Sequence, residues 1–428
     1  MKIKTQKIFK ASFYILLFLG LFVKSIELNL LVGFLMFFFI SSFTSNKYST
    51  TLVNLIVPLL VILFIASVSG FFYKAEIYDI IKDFGFLFRP ILFIVLGYLL
   101  ISRVKDKDFI FKALIYTAVI SATIHILELV VFINNNPFSV NKIRGALGRD
   151  NFIELFALVI LFVKSTRIFY SEAILKRMNL FKFILILSFI FYFSRTMFIS
   201  FFIIIIALKG YAKISTRGVI YITIFNLLLI TLFSSLQFAD LKRESKGIEG
   251  FFYKIKMAPS EIFSPDININ TKNHRSLWDH WRAYEALKAI EGISSTEYKL
   301  GWVFGKGLGA QVDLGFEAPL DGKKFQYIPI IHNGYVYVLF KSGMIGLIIY
   351  LAFLLFIYMQ SYKKGNHYGN IINNFISGIA LFFLLTSLII TGIYNSGDII
   401  VFILGGLFSL QFYYSKQYQT NEDRHIRN

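Results

Sequence analysis

The chain contains no cysteine and few charged side chains for its length. Without cysteine it can form no disulfide bond, no thiolate metal site and no cysteine nucleophile. Its six histidines lack the short spacings, such as HxxxH or HExxH, that bring zinc ligands together on a helix. Charged residues make up 16% of the 428 positions, against roughly a quarter in soluble domains. We therefore expect neither a metal nor a cofactor, and we exclude a soluble enzyme.

In place of charge, the chain has long apolar runs. Hydrophobic residues make up 56% of the sequence, and the mean hydropathy is +0.66. The longest runs reach the roughly 20 residues that a helix needs to cross a bilayer. We predict an all-α integral membrane protein with about 12 transmembrane helices, the first of them retained and not cleaved as a signal peptide. The apolar segments fall at about 10–23, 28–44, 51–72, 84–102, 109–133, 151–165, 180–193, 196–208, 218–237, 343–361, 371–392 and 397–414.

The positive charges predict the orientation of these helices. The net charge is +19, and the lysines and arginines of the short loops fall mostly on one side of the alternating spans. By the positive-inside rule that side is the cytoplasm, so both termini are predicted to be cytoplasmic. On a soluble chain such a charge would suggest nucleic-acid binding. Here the positive charge is explained by the orientation of the helices in the membrane, and we expect no nucleic-acid partner.

A long polar stretch before the last spans falls on the outer side in this topology. It is too long for a passive connector, so a folded or functional loop is the favoured interpretation. It holds all three tryptophans, and we predict helices in it at 248–258 and 273–290. The predicted division is 1–238 for transmembrane spans 1–9, 239–330 for an extracytoplasmic loop with short helices, 331–415 for a re-entrant or short helix and spans 10–12, and 416–428 for a cytoplasmic tail.

The second loop helix carries the sharpest local pattern. On a helix over 273–290, Arg275, Trp278, Arg282 and Glu285 are spaced by three or four positions and share one face. Guanidinium groups match phosphate oxygens bidentately and keep their charge. This face therefore suits a phosphate-bearing ligand. The alternative is that Arg282 and Glu285 form an ordinary surface pair.

Two further motifs lie nearer the last spans. The segment 305–309 (GKGLG) can bring backbone amides close to a ligand, but it lacks the Walker spacing, and a structural turn is the favoured interpretation. His332 follows the loop, with Asn333 and Tyr335 beside it. An imidazole in this position can take a proton from a hydroxyl group. The alternative is an interfacial anchor.

Two arginine segments among the spans complete the pattern. Arg195, within Ser194-Arg195-Thr196, interrupts an apolar run, which predicts two short helices joined by an outer-face turn. An arginine at membrane depth is costly, so a functional role is favoured over snorkelling. The stretch 144–151 places Arg149 on the outer side, against the positive-inside trend. It indicates an anionic ligand there, or a plain exception to a statistical rule.

Taken in order, these motifs resemble the O-antigen polymerase and ligase superfamily of bacterial surface-glycan assembly. The resemblance rests on the arginine between two helices, the large outer loop and the segments that follow. Those segments, which favour the polymerase branch, are 278–286 (WDHWRAYEA), 305–309 (GKGLG) and 332–335 (HNGY). The resemblance covers the chain from about the fifth span to the C-terminus.

The resemblance implies glycosyl transfer from an undecaprenyl-diphosphate-linked oligosaccharide at the outer face of the bacterial inner (cytoplasmic) membrane. The implied partners are that lipid-linked glycan, membrane lipid, a chain-length regulator and a flippase. The resemblance assigns catalytic roles to His332 and Arg282, and it stays open whether Arg275 or Arg282 is the key loop arginine. On chemical grounds Glu285 is the fallback base. The implied substrate-binding set is Arg195, Arg275, Arg282, Arg149, Trp278, Asn333 and Tyr335.

Three other functions remain as alternatives. A ligase of the same superfamily would transfer finished glycan to lipid A-core, and the sequence separates it poorly from a polymerase. A transporter or flippase would bury charges inside several spans, whereas most span cores here are nearly free of charge. A structural subunit of an envelope complex would not need arginines and a histidine grouped on one face.

Overall fold

The computed structural model describes residues 2–23, 25–43, 49–73, 75–136, 139–148, 150–241, 248–262, 274–320, 322–395 and 399–427. Each of the twelve apolar segments of the sequence coincides with a helix in this part of the chain. The helices are α1 (Lys2–Phe22), α2 (Ile26–Ser41), α3 (Thr50–Gly70), α4 (Ile77–Arg103), α5 (Phe109–Asn135), α6 (Val140–Leu147), α7 (Phe152–Phe162), α8 (Glu172–Phe191), α9 (Arg195–Leu208), α10 (Thr216–Phe238), α11 (Ile248–Ile262), α12 (His274–Asp279), α13 (Trp281–Ser294), α14 (Leu300–Phe304), α15 (Gly334–Tyr358), α16 (His367–Ile389) and α17 (Ile400–Arg427).

Among the described helices, seven are long and apolar enough to cross a membrane: α1, α3, α4, α5, α10, α15 and α16. Three others, α2, α7 and α9, are apolar but have only 16, 11 and 14 residues. At 1.5 Å per residue, α7 is about 16 Å long, which is roughly half of a hydrocarbon core. The chain is thus a largely helical protein with several potential membrane spans, and the count of about 12 crossings and their orientation stay predictions.

Helix α10 shows most directly that the protein suits a lipid environment. Its buried residues are Gly218 and Leu236 alone. Leu227, Leu228 and Ile230, in its middle, are each more than half exposed. An apolar face of this length would be unfavourable in water and is favourable against lipid chains.

Helices α4 and α17 cross each other at a buried contact, where glycines bring the two helix backbones together. A side chain on Gly97 would collide with the carbonyl group of Phe402, and one on Gly405 would collide with that of Ile94. Small residues at such a crossing allow the close van der Waals packing that drives helix association in membranes.

The polar loop 239–330 contains a β-hairpin as well as helices. Strands β1 (Val312–Leu320) and β2 (Lys323–Ile328) pair antiparallel, with Val312 opposite Ile328 and an irregularity between Asp313 and Ala318. The prediction of short helices alone missed it, because Gly and Pro inside β1 hide the alternation that marks a strand. Leu314 of β1 is fully buried, and its carbonyl oxygen accepts a hydrogen bond from the Tyr284 hydroxyl at 2.5 Å.

The predicted helix 273–290 is two helices in the structure. His280, with φ −122° and ψ 14°, separates α12 from α13. Trp281 and Tyr284 just beyond the break are buried. The prediction of one continuous face was therefore wrong in detail, because burying these aromatic rings favours a change of direction over an unbroken helix.

A buried ion pair joins the loop to the membrane helices. The Lys341 ammonium group on α15 contacts the Asp83 carboxylate on α4, and their side chains are 0% and 1% exposed. Lys341 also donates to the Ala310 carbonyl oxygen at 2.5 Å. The same Asp83 oxygen accepts the Gly309 amide at 2.7 Å. One carboxylate and one ammonium group thus hold together three segments that are distant in sequence: α4, the segment 309–310 and α15.

The segment 305–309 is a structural turn whose amides are already used. Lys306, Gly307 and Leu308 donate to the carbonyl oxygens of Phe340 (2.7 Å), Lys341 (3.1 Å) and Ala66 (2.9 Å). Its three glycines have φ values of 75°, 78° and 80°, which disfavour a side chain. The favoured interpretation of GKGLG as a structural turn is confirmed.

We expect Lys341→Met to destabilise the protein by about 3–5 kcal/mol, because it leaves the Asp83 carboxylate buried without its charge partner. Thermal unfolding of the purified protein in detergent, followed by tryptophan fluorescence, measures the loss. Lys324→Met is the matched control, since Lys324 faces Glu317 at 3.6 Å with both side chains more than half exposed. Equal unfolding midpoints for the two variants would contradict a stabilising role for the buried pair.

Candidate functional site

The turn between α8 and α9 presents Arg195 at a helix start. Phe193 has φ 47°, a left-handed conformation that ends the first helix. The Ser194 hydroxyl then accepts the Met197 amide at 3.2 Å and caps α9. The predicted tight turn between two helices is confirmed, and Arg195 is the first residue of the second one. Only α9, with 14 residues, is short, whereas α8 has 20.

Arg195 lies in a cavity of about 220 Å³ that we name the arginine cavity. It is built from α6, the start of α9, α11 and the junction of α12 with α13. Two predicted loop residues, Trp278 and Arg282, meet Arg195 there. The lining residues are Arg144, Arg195, Tyr253, Lys254, Met257, Glu261, Trp278, Asp279 and Arg282.

A single carboxylate bridges two of these arginines. Glu261 of α11 contacts Arg195 at 2.8 Å through one oxygen and Arg282 at 2.9 Å through the other. The three side chains are between 16% and 19% exposed. Arg195 also donates to the Lys254 carbonyl oxygen. An anionic group already sits between the two guanidinium groups, in the place where a ligand anion would bind.

The electrostatic field of the cavity favours a further anion. Burial lowers the pKa of the Arg282 guanidinium, which Glu261 opposes and Arg195 reinforces. Burial likewise lowers the pKa of Arg144, with Asp150 opposing and both other arginines reinforcing the shift. Arginines remain charged despite such shifts. Three guanidinium groups that repel one another in a partly buried space gain energy when an anion joins them.

A histidine–carboxylate pair lies next to this cavity. The His332 Nδ1 atom is 2.8 Å from a Glu285 carboxylate oxygen, and the His332 backbone amide donates to the same oxygen at 3.0 Å. Glu285 is 2% exposed, whereas the His332 side chain is 49% exposed. Glu285 follows Arg282 by three positions on α13, so the pair lies about one helical turn from the arginine cavity.

Asn333 and Tyr335 have structural partners instead. The Asn333 side chain caps α15 by accepting the amides of Tyr335 and Val336, both at 3.1 Å. The Tyr335 hydroxyl donates to the Leu384 carbonyl oxygen at 2.8 Å. Neither residue lines the arginine cavity. These contacts give the Asn333 and Tyr335 side chains a structural role at the start of α15 and in its packing on α16.

Two predicted arginines cannot be placed. Arg149 lies outside the described residues. Arg275 belongs to α12, but its side chain lies outside the described part of the structure. Arg282 is therefore the loop arginine that the described residues bring to the arginine cavity.

Sequence reasoning missed six of the nine lining residues, and two of these, Glu261 and Arg144, shape the cavity most directly. Glu261 lies beyond the predicted end of the helix at 248–258, which runs to Ile262 in the structure. Arg144 belongs to the basic stretch 144–151 that was noted for its unusual side, although Arg149 was chosen from it. Arg144 donates to the Phe193 carbonyl oxygen at 2.7 Å and thereby holds the turn before Arg195.

A buried polar network, which sequence reasoning also missed, supports the turn between α8 and α9. The Glu154 carboxylate accepts hydrogen bonds from Ser188 (2.6 Å), Ser121 (2.7 Å) and Tyr192 (3.0 Å). The His125 ring stacks on Tyr192 with the centroids 4.0 Å apart. Tyr192 is the last residue before the turn, so this network anchors the segment that presents Arg195.

No protein-family model matches the chain, and no curated protein matches it. The functional argument therefore starts from the geometry of the arginine cavity and the His332–Glu285 pair.

We expect Glu261→Gln to bind inorganic pyrophosphate about fivefold more tightly than the wild type, because a partly exposed carboxylate is worth about 1 kcal/mol against the arginines it blocks. Isothermal titration calorimetry on the purified protein measures this. Glu291→Gln is the control, since within the described part of the chain the Glu291 side chain pairs with nearby Lys288 at 2.7 Å and is 54% exposed. Weaker binding by Glu261→Gln would instead mean that the carboxylate is needed to hold the arginines in place.

Proposed function

We propose that the protein is a membrane glycosyltransferase that polymerises undecaprenyl-diphosphate-linked oligosaccharide repeat units into a surface polysaccharide. The reaction would take place at the outer face of the bacterial inner membrane. The observation that carries this proposal is the arginine cavity next to the His332–Glu285 pair. The arginines of the cavity suit a diphosphate, and the His332–Glu285 pair suits a hydroxyl group that must lose a proton.

The arginine cavity supports the leaving-group half of the reaction. When the bond between the anomeric carbon and the diphosphate breaks, the electron pair moves onto a diphosphate oxygen. Arg195, Arg282 and Arg144 are positioned to neutralise that charge, and guanidinium groups do this without changing protonation. In this mechanism the diphosphate displaces Glu261 from between the two arginines.

The His332–Glu285 pair supports the acceptor half. When His332 Nδ1 donates to Glu285, the Nε2 atom presents its lone pair and can accept the proton of a sugar hydroxyl. The freed oxygen attacks the anomeric carbon, and the resulting imidazolium is stabilised by Glu285. Direct displacement of this kind inverts the anomeric configuration. Because Glu285 is buried and engaged with His332, its proposed role is to orient that histidine and not to serve as a second base.

A ligase that transfers finished glycan to lipid A-core would use the same leaving group and the same base. The acceptor distinguishes the two reactions. The tryptophan-rich loop motif favours the polymerase. A transporter or flippase is supported less, because the candidate residues converge on one end of the helices.

The first test is a gel of surface and lipid-linked glycan from a strain that lacks this gene. We expect Arg282→Ala and His332→Ala to restore only glycan one repeat unit long, because transfer fails without charge neutralisation or a base. Arg217→Ala is the control for loss of an exposed arginine at the start of α10, and it should restore the full ladder. Long polymer left on the lipid carrier would identify a ligase. An unchanged ladder in the deletion strain would refute both functions.

We expect Glu285→Gln to lower kcat by about 10- to 100-fold with little change in KM, because it removes the charge that orients and stabilises the His332 imidazolium. Initial rates with purified protein and a lipid-linked repeat unit measure both constants. Glu291→Gln should leave them unchanged. A rise in KM at constant kcat would show that Glu285 serves substrate binding and not proton transfer.

A further inference from the structure

A second polar cavity lies at the other end of α9. Its volume is about 550 Å³, more than twice that of the arginine cavity. Arg195 begins α9 and Lys209 follows its last residue, so about 21 Å of helix separates the two sites. The proposed glycosyl transfer does not use this cavity.

The second cavity exists because two neighbouring helices are short. Helices α7 and α9 end at Phe162 and Leu208, and α16 begins at His367 beside those ends. The fit of α16 against α9 is close, since Gly378 lies against Ala207. The cavity is the recess left between the two helix ends and the start of the longer one.

The chemistry of the lining is cationic and hydrogen-bonding on one side. Lys164 follows α7, Lys209 follows α9, and His367 begins α16, so three separate elements each contribute a basic side chain. None of the eleven lining residues is acidic. In addition, the Asn374 side-chain oxygen is buried without a hydrogen-bond partner among the described residues, so it can accept a hydrogen bond from a hydroxyl group of a ligand.

The other side of the cavity is apolar. Phe162, Leu208 and Ile371 belong to its lining, next to the basic residues. A recess at the end of apolar helices, with lysines and an apolar wall, matches the boundary between a lipid head and its chains. Basic pockets between membrane helices recognise anionic lipid heads in this way.

Hydrogen bonds hold the backbone around the cavity in place. The Tyr358 hydroxyl donates to the Ala212 carbonyl oxygen at 2.7 Å, and the Tyr362 hydroxyl accepts the Ile214 amide at 2.6 Å, which fixes the segment after Lys209. The Thr166 hydroxyl donates to the Ile160 carbonyl oxygen at 2.7 Å, which fixes the end of α7. The basic side chains therefore extend from a rigid frame, which lowers the entropy lost on binding.

We propose that the second cavity binds the phosphate group of an anionic phospholipid head, with Lys164 and Lys209 supplying the charge. The lipid chains lie along the apolar surface beside the cavity, where Phe162 is 43% exposed. The Asn374 oxygen accepts a hydrogen bond from a head-group hydroxyl, and His367 donates one to the phosphate through a ring N–H. Because this site lies one helix length from the arginine cavity, it is a binding site separate from that of the transferred glycan.

Native mass spectrometry of the full chain in a mild detergent tests the proposal, with phosphatidylglycerol, phosphatidylcholine and inorganic phosphate as probes. We expect the double variant Lys164→Gln/Lys209→Gln to bind phosphatidylglycerol about 30-fold more weakly, because each lost lysine is worth about 1 kcal/mol. The matched control Lys176→Gln/Lys364→Gln removes two exposed lysines outside the cavity and should bind as the wild type does. Lys164→Arg/Lys209→Arg keeps the charge and should retain binding, which guards against a variant that simply misfolds.

Displacement of phosphatidylglycerol by millimolar inorganic phosphate would support the shared phosphate chemistry and extend the ligand to free phosphate. Resistance to displacement would assign the site to the lipid. Equal loss of binding in the cavity variant and the matched control would overturn the proposal, as would equal affinity of the wild type for phosphatidylcholine and phosphatidylglycerol.

Discussion

The contact between Asp83 and Lys341 is the constraint on which the attachment of the polar loop depends. It brings α4, the turn 305–309 and α15 to one buried point. Gly343, with φ 67°, breaks α15 where a side chain would collide with the Val303 carbonyl group, so α14 can lie against the helix. A buried ion pair of this kind gains little over apolar packing, but losing one partner costs several kcal/mol. The pair therefore enforces one arrangement of loop and helices.

The Asp83–Lys341 pair is connected to the candidate site through two elements, α15 and α13. His332 stands immediately before α15, the helix that carries Lys341. Glu285 lies on α13, which the hairpin supports through Tyr284 and Leu314. A hydrogen bond of 2.8 Å between residues 47 positions apart requires both supports to be fixed. The buried Asp83–Lys341 pair thus helps to fix the distance between His332 and Glu285, although it contacts neither residue.

The helices were predictable because apolar runs of about 20 residues carry the signal by themselves. What the sequence hid depends on tertiary packing. The break at His280 follows from burying Trp281 and Tyr284, and no residue there is a helix breaker. The hairpin was hidden by glycine and proline inside β1. The short α7 was predicted at 151–165 as a full span, although it ends at Phe162.

For the candidate site, the sequence predicted which residues are chemically suited better than it predicted which residues contact one another. Arg195, Trp278 and Arg282 were chosen for their chemistry and meet in one cavity. Glu261 was missed because a carboxylate 66 positions from Arg195 shows no local signal. Asn333 and Tyr335 were chosen from a motif, yet the Asn333 side chain caps α15 and the Tyr335 hydroxyl joins α15 to α16. Sequence motifs identify reactive side chains, but they do not tell which of those side chains the backbone has already engaged.

The shortness of α9 has a consequence for the surrounding bilayer. A helix of 14 residues is about 21 Å long, against about 30 Å of hydrocarbon. Phe202 in its middle is 50% exposed, so this helix offers an apolar surface that suits lipid. If α9 crosses the membrane as predicted, hydrophobic mismatch of this size would make the adjacent bilayer thin. Along this flank the two leaflet surfaces approach each other, and the protein is expected to partition into the thinner regions of its membrane.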